Sequence, residues 1–295
     1  MCTSGDVQNM KAEKRFKITR VGVTGVKKPI VVHRPWGDVT LNAEIDVYVD
    51  LPSKQKGSHM SRNVEVTGEV VDKSVRKPVD GLENLTAQMC EILLERHEYA
   101  TYSEVEINAD YFLEKKSPKD RSSLENYTIK AKAEAVRGGE LRKYIGVTAV
   151  GMNACPCAME TVKNYYVQKY PELEGSIDKI PFITHNQRNK STVMMEVPDD
   201  EYIEVNDLIG IIEDSLSSST HEILKRDDEA AVVIQAHENP KFVEDVVRDI
   251  LSKLLEKYDH LPDSTHVDVK SESEESIHKH NAFAERVTTF GELRE

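Results

Sequence analysis

From Val39 onward the chain alternates apolar and polar residues without a break: Val39, Leu41, Ala43, Ile45, Val47 and Val49 share one parity. Side chains of an extended chain point to opposite faces in turn, so this run predicts a strand with one buried face. Residues 17–23 form a shorter candidate partner. The alternation returns at Val105, Ile107, Ala109, Tyr111 and Leu113, and again at Tyr127, Ile129, Ala131, Ala133 and Ala135. The charged segment 115–125 joins these two strands as a hairpin. Before them, residues 52–79 read as a polar stretch. After it, Leu82, Leu85, Met89 and Leu93 recur at helical spacing and predict an amphipathic helix over 81–97.

The second half repeats this plan. Residues 144–150 are rich in β-branched side chains and predict a strand, as do residues 192–197. Leu208, Ile211, Ile212 and Leu216 predict a helix capped by Asn206 or Asp207. Asn239-Pro240 reads as the cap and first position of a further helix, with a stripe of Phe242, Val246, Val247, Ile250 and Leu254. Strands near 266–269 and 281–288 close the chain. The order is therefore ββ-α-ββ followed by ββ-αα-ββ, a repeat of elements without residue-level self-similarity. Segment 159–183 interrupts the second half as an inserted, partly helical excursion. The expected division is a polar N-terminal tail over 1–16, a first half over 17–140 and a second half over 141–295.

Composition narrows the class. Of 295 residues 39% are apolar, enough to build a core rather than a disordered chain. Four cysteines in this length are no disulfide scaffold. No apolar run approaches the ~20 residues of a membrane helix, and the polar N-terminus shows no secretory signal. The expectation is a soluble, cytoplasmic protein that does not bind membranes. A net charge of −13 argues against nucleic acid as a partner, which needs a basic footprint. It still allows an anionic small substrate held by a few cations gathered locally.

Four places can carry chemistry. Cys155-Pro156-Cys157 follows a strand directly, so its thiols can serve as a soft metal ligand or nucleophile, or simply fill core space. Cys2 and Cys90 carry no such signal, and Cys90 sits among the apolar residues of its helix. Thr184-His185-Asn186-Gln187-Arg188 is a dense polar block before a strand. There His185 can ligate a metal and Arg188 can hold a phosphate, or the block is a solvated loop. Glu213 lies near a buried helix stripe, where a carboxylate needs a partner unless it reaches solvent. The charged run 225–229 downstream is either solvated surface or holds a carboxylate that reads a base. Glu275 and His278, within the block that ends at His280, can act as a proton-transfer pair or form an exposed turn. Cys, His and Glu together make an open three-ligand site that would activate water, with metal-assisted hydrolysis as the reaction class.

Six blocks in order resemble GTP cyclohydrolase IB over nearly the whole chain from about residue 17. They are Ser58-His59-Met60-Ser61-Arg62, Gly146-Val147-Thr148 leading to Cys155-Pro156-Cys157, His185-Asn186-Gln187-Arg188, Leu224-Lys225-Arg226, Asn239 through Asp245, and Glu275-Ser276-Ile277-His278. The resemblance implies an α+β tunnelling fold (T-fold) of bimodular ββ-α-ββ repeats, with antiparallel sheets and helices on one face. It also implies a homotetramer with active sites between subunits. The implied reaction is hydrolysis of GTP at guanine C8 with loss of formate. Carried over, Cys155, His185 and Glu213 are the ligands of one divalent metal per subunit, with Cys157 beside them as an assisting or substituting thiol. Glu229 is the guanine anchor, Glu275 and His278 move protons, and His59, Arg62, Arg188, Lys225 and Arg226 are candidates for the triphosphate. The long spacing between the cysteine and histidine blocks resembles the archaeal branch. That branch serves methanopterin synthesis, uses ferrous iron and makes 7,8-dihydroneopterin 2′,3′-cyclic phosphate. The bacterial branch keeps the triphosphate, and the ligand set alone also accepts Mn or Zn. A tunnelling-fold nitrile reductase, with a nucleophilic cysteine and no metal, is a second reading. A metal-stabilised interaction module that unfolds on chelation is a third.

Overall fold

The computed structural model describes residues 7–34 and 37–295, so Cys2 lies outside the described residues. The run from Val39 forms β2 (Val39–Leu51), paired antiparallel with β1 (Ile18–Val32) in a register that sets Ile30 opposite Leu41 and Val32 opposite Val39. The hairpin expected around 115–125 is formed by β3 (Tyr102–Lys116) and β4 (Ser122–Val136), and β5 (Leu141–Ala154) follows. Each strand buries one parity of residues, as the alternation requires. No helix among the described residues is long and apolar enough to cross a membrane.

The residues gather into two compact units that are not contiguous in sequence. The first comprises Met1–Asp110, Ile129–Ile145 and Glu196–Tyr202; the second comprises Tyr111–Thr128, Gly146–Met195 and Ile203–Glu295. Strands β3, β4 and β5 contribute residues to both.

In the first unit the strands pair in the order β1-β2-β3-β4-β5. Its core is the buried parity of β2 with Val105, Ile107 and Ala109, and Ile129, Ala131 and Ala133. The expected helix is α2 (Leu82–Arg96), which adds Leu82, Leu85, Met89 and Leu93. Burying each large apolar side chain contributes ~1.5–3 kcal/mol. Cys90 is core, as its helix position suggested: its thiol donates to the Ala133 carbonyl at 3.3 Å, and burial pushes its pKa up to about 12. The stretch 52–79 is not simply a polar loop, because residues Met60–Ser74 form α1. Its buried stripe is Asn63, Val66, Thr67, Val70, Val71 and Ser74, spaced as a helix face but half polar. The hydroxyls of Thr67 and Ser74 are satisfied within the helix by the carbonyls of Asn63 and Val71.

In the second unit the order is β3-β4-β5-β6-β8-β9, with the short β7 (Ser218–Ser219) beside β5. Here β6 is Asn186–Glu196, β8 His266–Glu274 and β9 Ala282–Thr289. Gly146 permits the β5–β6 approach, since a Cβ there would stand 2.2 Å from the Val193 carbonyl oxygen. Helix α3 (Pro156–Lys169) opens the partly helical excursion. Helix α4 (Val205–Glu213) is capped not by Asn206 or Asp207 but by Glu204, whose carboxylate accepts from the Asn206 amide. Asn206 instead accepts the Tyr111 hydroxyl at 2.9 Å, and Leu216 falls beyond the helix end.

Asn239-Pro240 does not open a helix either. Asn239 closes α5 (Arg226–Glu238), its N–H donating to the Gln235 carbonyl and its side-chain amide to Leu216. The next helix, α6 (Val243–Lys257), starts only after Phe242, whose N–H donates to the Asp245 carboxylate. Asn239 thus closes α5 through its main chain while its side chain is tied to Leu216, and α6 begins only at Val243. Phe242 is exposed rather than part of the stripe, and Val246, Val247, Ile250 and Leu254 are buried as expected. The short α7 (Phe290–Arg294) ends the chain and plants Phe290 in the core.

Candidate functional site

Strand β5 ends at Ala154 and α3 begins at Pro156, so Cys155 is held at the junction as the helix cap. Its thiol accepts from the Ala158 amide at 3.5 Å, and Pro156 sits at the first helical position, where its missing N–H costs nothing. The main chain ties Cys155 to the histidine block. Its amide donates to the His185 carbonyl at 3.1 Å and its carbonyl accepts the Thr184 hydroxyl at 2.6 Å. Two segments separated by the excursion are therefore locked side by side. Cys157 is exposed on the first turn of α3.

Around this junction a polar chain is laid out on β6 and the end of β8. His185 Nδ1 lies 3.0 Å from Gln187 Oε1, and Gln187 Nε2 donates to Glu275 Oε1 at 3.1 Å. The second Glu275 oxygen, Oε2, is buried without a hydrogen-bond partner among the described residues and lies 3.6 Å from His185 Nδ1. The His278 ring meets His185 edge-on at 6.5 Å and stacks on His280 at 5.1 Å. Cys155, Gln187, Glu275 and His280 line one cleft of about 360 Å³, together with Lys241 and Phe242. Of the residues expected from sequence, then, the structure brings together Cys155, His185, Glu275 and His278. Gln187 and Lys241 join them; each lies inside a block that resembles the family but carries no distinct sequence signal of its own. Lys241 is fixed by Asp249 at 2.5 Å and by the Ser215 carbonyl at 3.0 Å.

Glu213 is the last residue of α4 and is buried rather than reaching solvent. Its partners are an ion pair with Lys115 at 2.7 Å and the Tyr127 hydroxyl, which donates at 2.5 Å. Burial, and the carboxylate beside it, push the Tyr127 pKa upward. Among the described residues no three His, Cys, Asp or Glu side chains are gathered as a metal-ligand set.

A second cleft, of about 560 Å³, is lined by Arg121, Leu224, Lys225, Arg226, Asp227 and Glu229. Lys225, Arg226 and Glu229 are exposed at the start of α5. The cleft sets a carboxylate among cations, the mixture that a base bearing phosphates would need. Arg121 has no sequence signal beyond its place in a charged hairpin. Arg188 is exposed on β6, opposite Glu274.

His59 and Arg62 belong to the first unit. His59 is buried, its Nε2 3.2 Å from Asn9 Oδ1, and Arg62 donates to the Arg96 carbonyl at 2.6 Å. Tyr99 is the hub there: its hydroxyl lies 2.8 Å from Ser58 Oγ and 2.8 Å from His97 Nδ1.

The chain matches, over residues 5–284, the family described as type I GTP cyclohydrolase folE2. It is 44% identical over 302 residues to GTP cyclohydrolase MptA of Methanosphaera stadtmanae, covering 98% of this chain and 96% of that one. To GTP cyclohydrolase MptA of Methanothermobacter thermautotrophicus it is 46% identical over 300 residues, covering 98% and 94%. Among solved structures it is similar to uricase from Arthrobacter globiformis, with a TM-score of 0.51, 8% identity and coverage of 92% and 93%. A uricase from Bacillus fastidious gives a TM-score of 0.50 at 10% identity, covering 94% and 95%. At such identities the likeness to uricases concerns the fold alone.

Proposed function

The chain belongs to the type I GTP cyclohydrolase family, and we propose on that premise that it hydrolyses GTP at guanine C8, releases formate and yields 7,8-dihydroneopterin 2′,3′-cyclic phosphate. It is an enzyme, a GTP cyclohydrolase of the archaeal methanopterin-pathway kind, and its fold is the expected α+β tunnelling fold. The observation that carries the reading is the cleft in which Cys155, Gln187 and Glu275 converge with His185 behind them. A thiol, an imidazole and a half-satisfied carboxylate in one cleft are the groups that attack on a ring carbon and ring opening require.

The residues divide the work. Gln187 holds Glu275 through one oxygen and leaves Oε2 to take or give a proton. His278, packed edge-on against His185, is the partner that carries the proton onward. Glu229 anchors guanine, accepting from N1–H and the exocyclic amine. Lys225 and Arg226 beside it hold phosphate, as does Arg188.

A divalent metal, one per subunit, belongs to the same proposal: Fe2+, with Mn2+ and Zn2+ as alternatives. Support comes from donor chemistry, since Cys155, His185 and Glu213 offer thiolate, imidazole and carboxylate. Cys155 and His185 are already tied together, whereas Glu213 is engaged by Lys115 and Tyr127. When bound, such a metal supplies an activated water near neutral pH. A homotetramer in the cytoplasm completes the proposal.

Anaerobic incubation with GTP and ferrous iron, followed by mass spectrometry, tests it. Formate with a cyclic phosphate and pyrophosphate is the expected result. An intact dihydroneopterin triphosphate moves the product to the bacterial type. No formate with any divalent metal rejects the proposal.

A further inference from the structure

Asp228 is fully buried, yet its carboxylate is spent entirely on ordered donors. Oδ1 accepts the Ser117 hydroxyl at 2.7 Å and the Lys119 amide at 3.0 Å. Oδ2 accepts Arg121 Nε at 2.7 Å and the Lys225 amide at 3.1 Å. The Ser117 hydroxyl and the Arg121 guanidinium hold this carboxyl far below the ordinary carboxylate range, so it stays ionised. Three of the donors come from the β3–β4 hairpin and the fourth from the cap of α5. The hairpin is itself tight. Ser117 and Arg121 exchange hydrogen bonds across it, and Asp120 takes a left-handed φ of 59°. One buried side chain thus clamps the hairpin tip to the start of the helix that carries Glu229.

The clamp has a consequence for the cleft. Arg121 is bound to Asp228 through Nε, and its side chain remains 33% exposed. A guanidinium is planar, so fixing Nε to a buried carboxylate fixes the direction of the two Nη groups. Arg121 lines the same cleft as Lys225, Arg226 and Glu229. An arginine already ordered loses little rotamer freedom on binding an anion, unlike a free surface lysine.

We propose that Arg121 is a phosphate-binding residue of the nucleotide cleft and that Asp228 is the residue that positions it. The inference rests on the reading of this cleft as the guanine-nucleotide site. Ligand chemistry follows from the cleft: a nucleoside di- or triphosphate, with the phosphates on the Arg121 side and the base on Glu229.

The test is calorimetric binding of guanosine and of GDP to the assembled, metal-loaded protein. Arg121→Gln removes the charge and keeps an amide donor for Asp228. It is expected to weaken GDP binding by roughly 10- to 100-fold, the worth of one charge-assisted hydrogen bond, with guanosine affinity unchanged and the melting temperature lowered because buried Asp228 loses its ion pair. Asp228→Asn lowers the melting temperature through the clamp, and is expected also to lower the ratio of GDP to guanosine affinity. Equal losses for both ligands in either variant would show a merely structural role and overturn the assignment. So would GDP binding no tighter than guanosine in the wild type, or an unchanged GDP affinity in Arg121→Gln. Wild-type protein that binds GDP through its phosphates but ignores guanosine would instead refute the base-anchor reading, leaving Arg121 to stand or fall on the GDP measurement.

Discussion

His97 is predicted to make the protein sensitive to mild acid. The ring is fully buried at the end of α2, edge-on to Tyr99 at 5.4 Å, with Nδ1 on the Tyr99 hydroxyl. Nε2 is buried with no partner among the described residues. Protonation would place a charge and a second N–H where nothing receives it. Burial first, then the nearby Arg62 and His59, push the His97 pKa down from 6.5 to about 4. The folded protein therefore keeps the ring neutral to about pH 4, whereas the unfolded chain protonates it below 6.5. Between those values the unfolded state binds more protons, so stability is fully present above 6.5 and is lost as pH falls toward 4. The gap corresponds to roughly 3 kcal/mol. Other groups titrate in this range, so the assay is a comparison with His97→Gln, which keeps a hydrogen-bond partner for Tyr99. Urea unfolding at pH 7.5 and 4.5, at one protein concentration, should show the wild type losing about 2–3 kcal/mol more than the variant across that interval. Equal losses in the two proteins, or an imidazole titrating near 6.5 by NMR, would refute the reasoning.

Three further outcomes are expected. Cys155→Ala should abolish GTP turnover and lower bound metal, measured by formate release and elemental analysis; unchanged activity would remove Cys155 from the ligand set. Glu229→Ala should weaken guanosine binding by about tenfold or more, the worth of a charge-assisted pair, while metal content stays constant; parallel loss of both would end its role as base anchor. Lys115→Met strips the ion pair from buried Glu213, which should lower stability by on the order of 2 kcal/mol, read as a fall in melting temperature. If Glu213 is a ligand, the same variant should gain more stability than the wild type on metal addition, and an equal gain would count against that role.

How legible the fold is in the sequence depended on which residues sit on each buried face. In β2, β3 and β4 the buried parity is apolar at nearly every position, so period two is visible directly. Helix α1 buries Asn63, Thr67 and Ser74 alongside its valines, and hydroxyls bonded back to the helix carry no hydropathy signal. Helix α5 buries only Asp228, Val232 and Ala236, while Val233 and Ile234 are exposed. Its Ala230–Ile234 run is β-branched on the wrong side for an apolar stripe. Asn239 and Pro240 carry the right cap chemistry, but a cap residue can serve the helix before it as well as the one after.

The site divides along the same line. Cys155, His185 and Glu275 stand in short polar blocks at the ends of strands β5, β6 and β8, where the sheet itself brings them together. Chemistry at strand ends is visible from residue type and position alone. What decides the state of Glu213 and of the cleft at the start of α5 is not local: Tyr127 lies 86 residues from Glu213, and Arg121 lies 107 from Asp228. Both pairings cross from the β3–β4 hairpin to a helix end, and each side alone reads as an ordinary charge or strand residue. The hairpin thus governs two carboxylates at once. It neutralises Glu213 through Lys115 and Tyr127, and it consumes Asp228 to order Arg121. In the first case the carboxylate would have to leave its cation before it could serve as the proposed ligand. In the second, a buried carboxylate sets the direction of an arginine that lines the cleft.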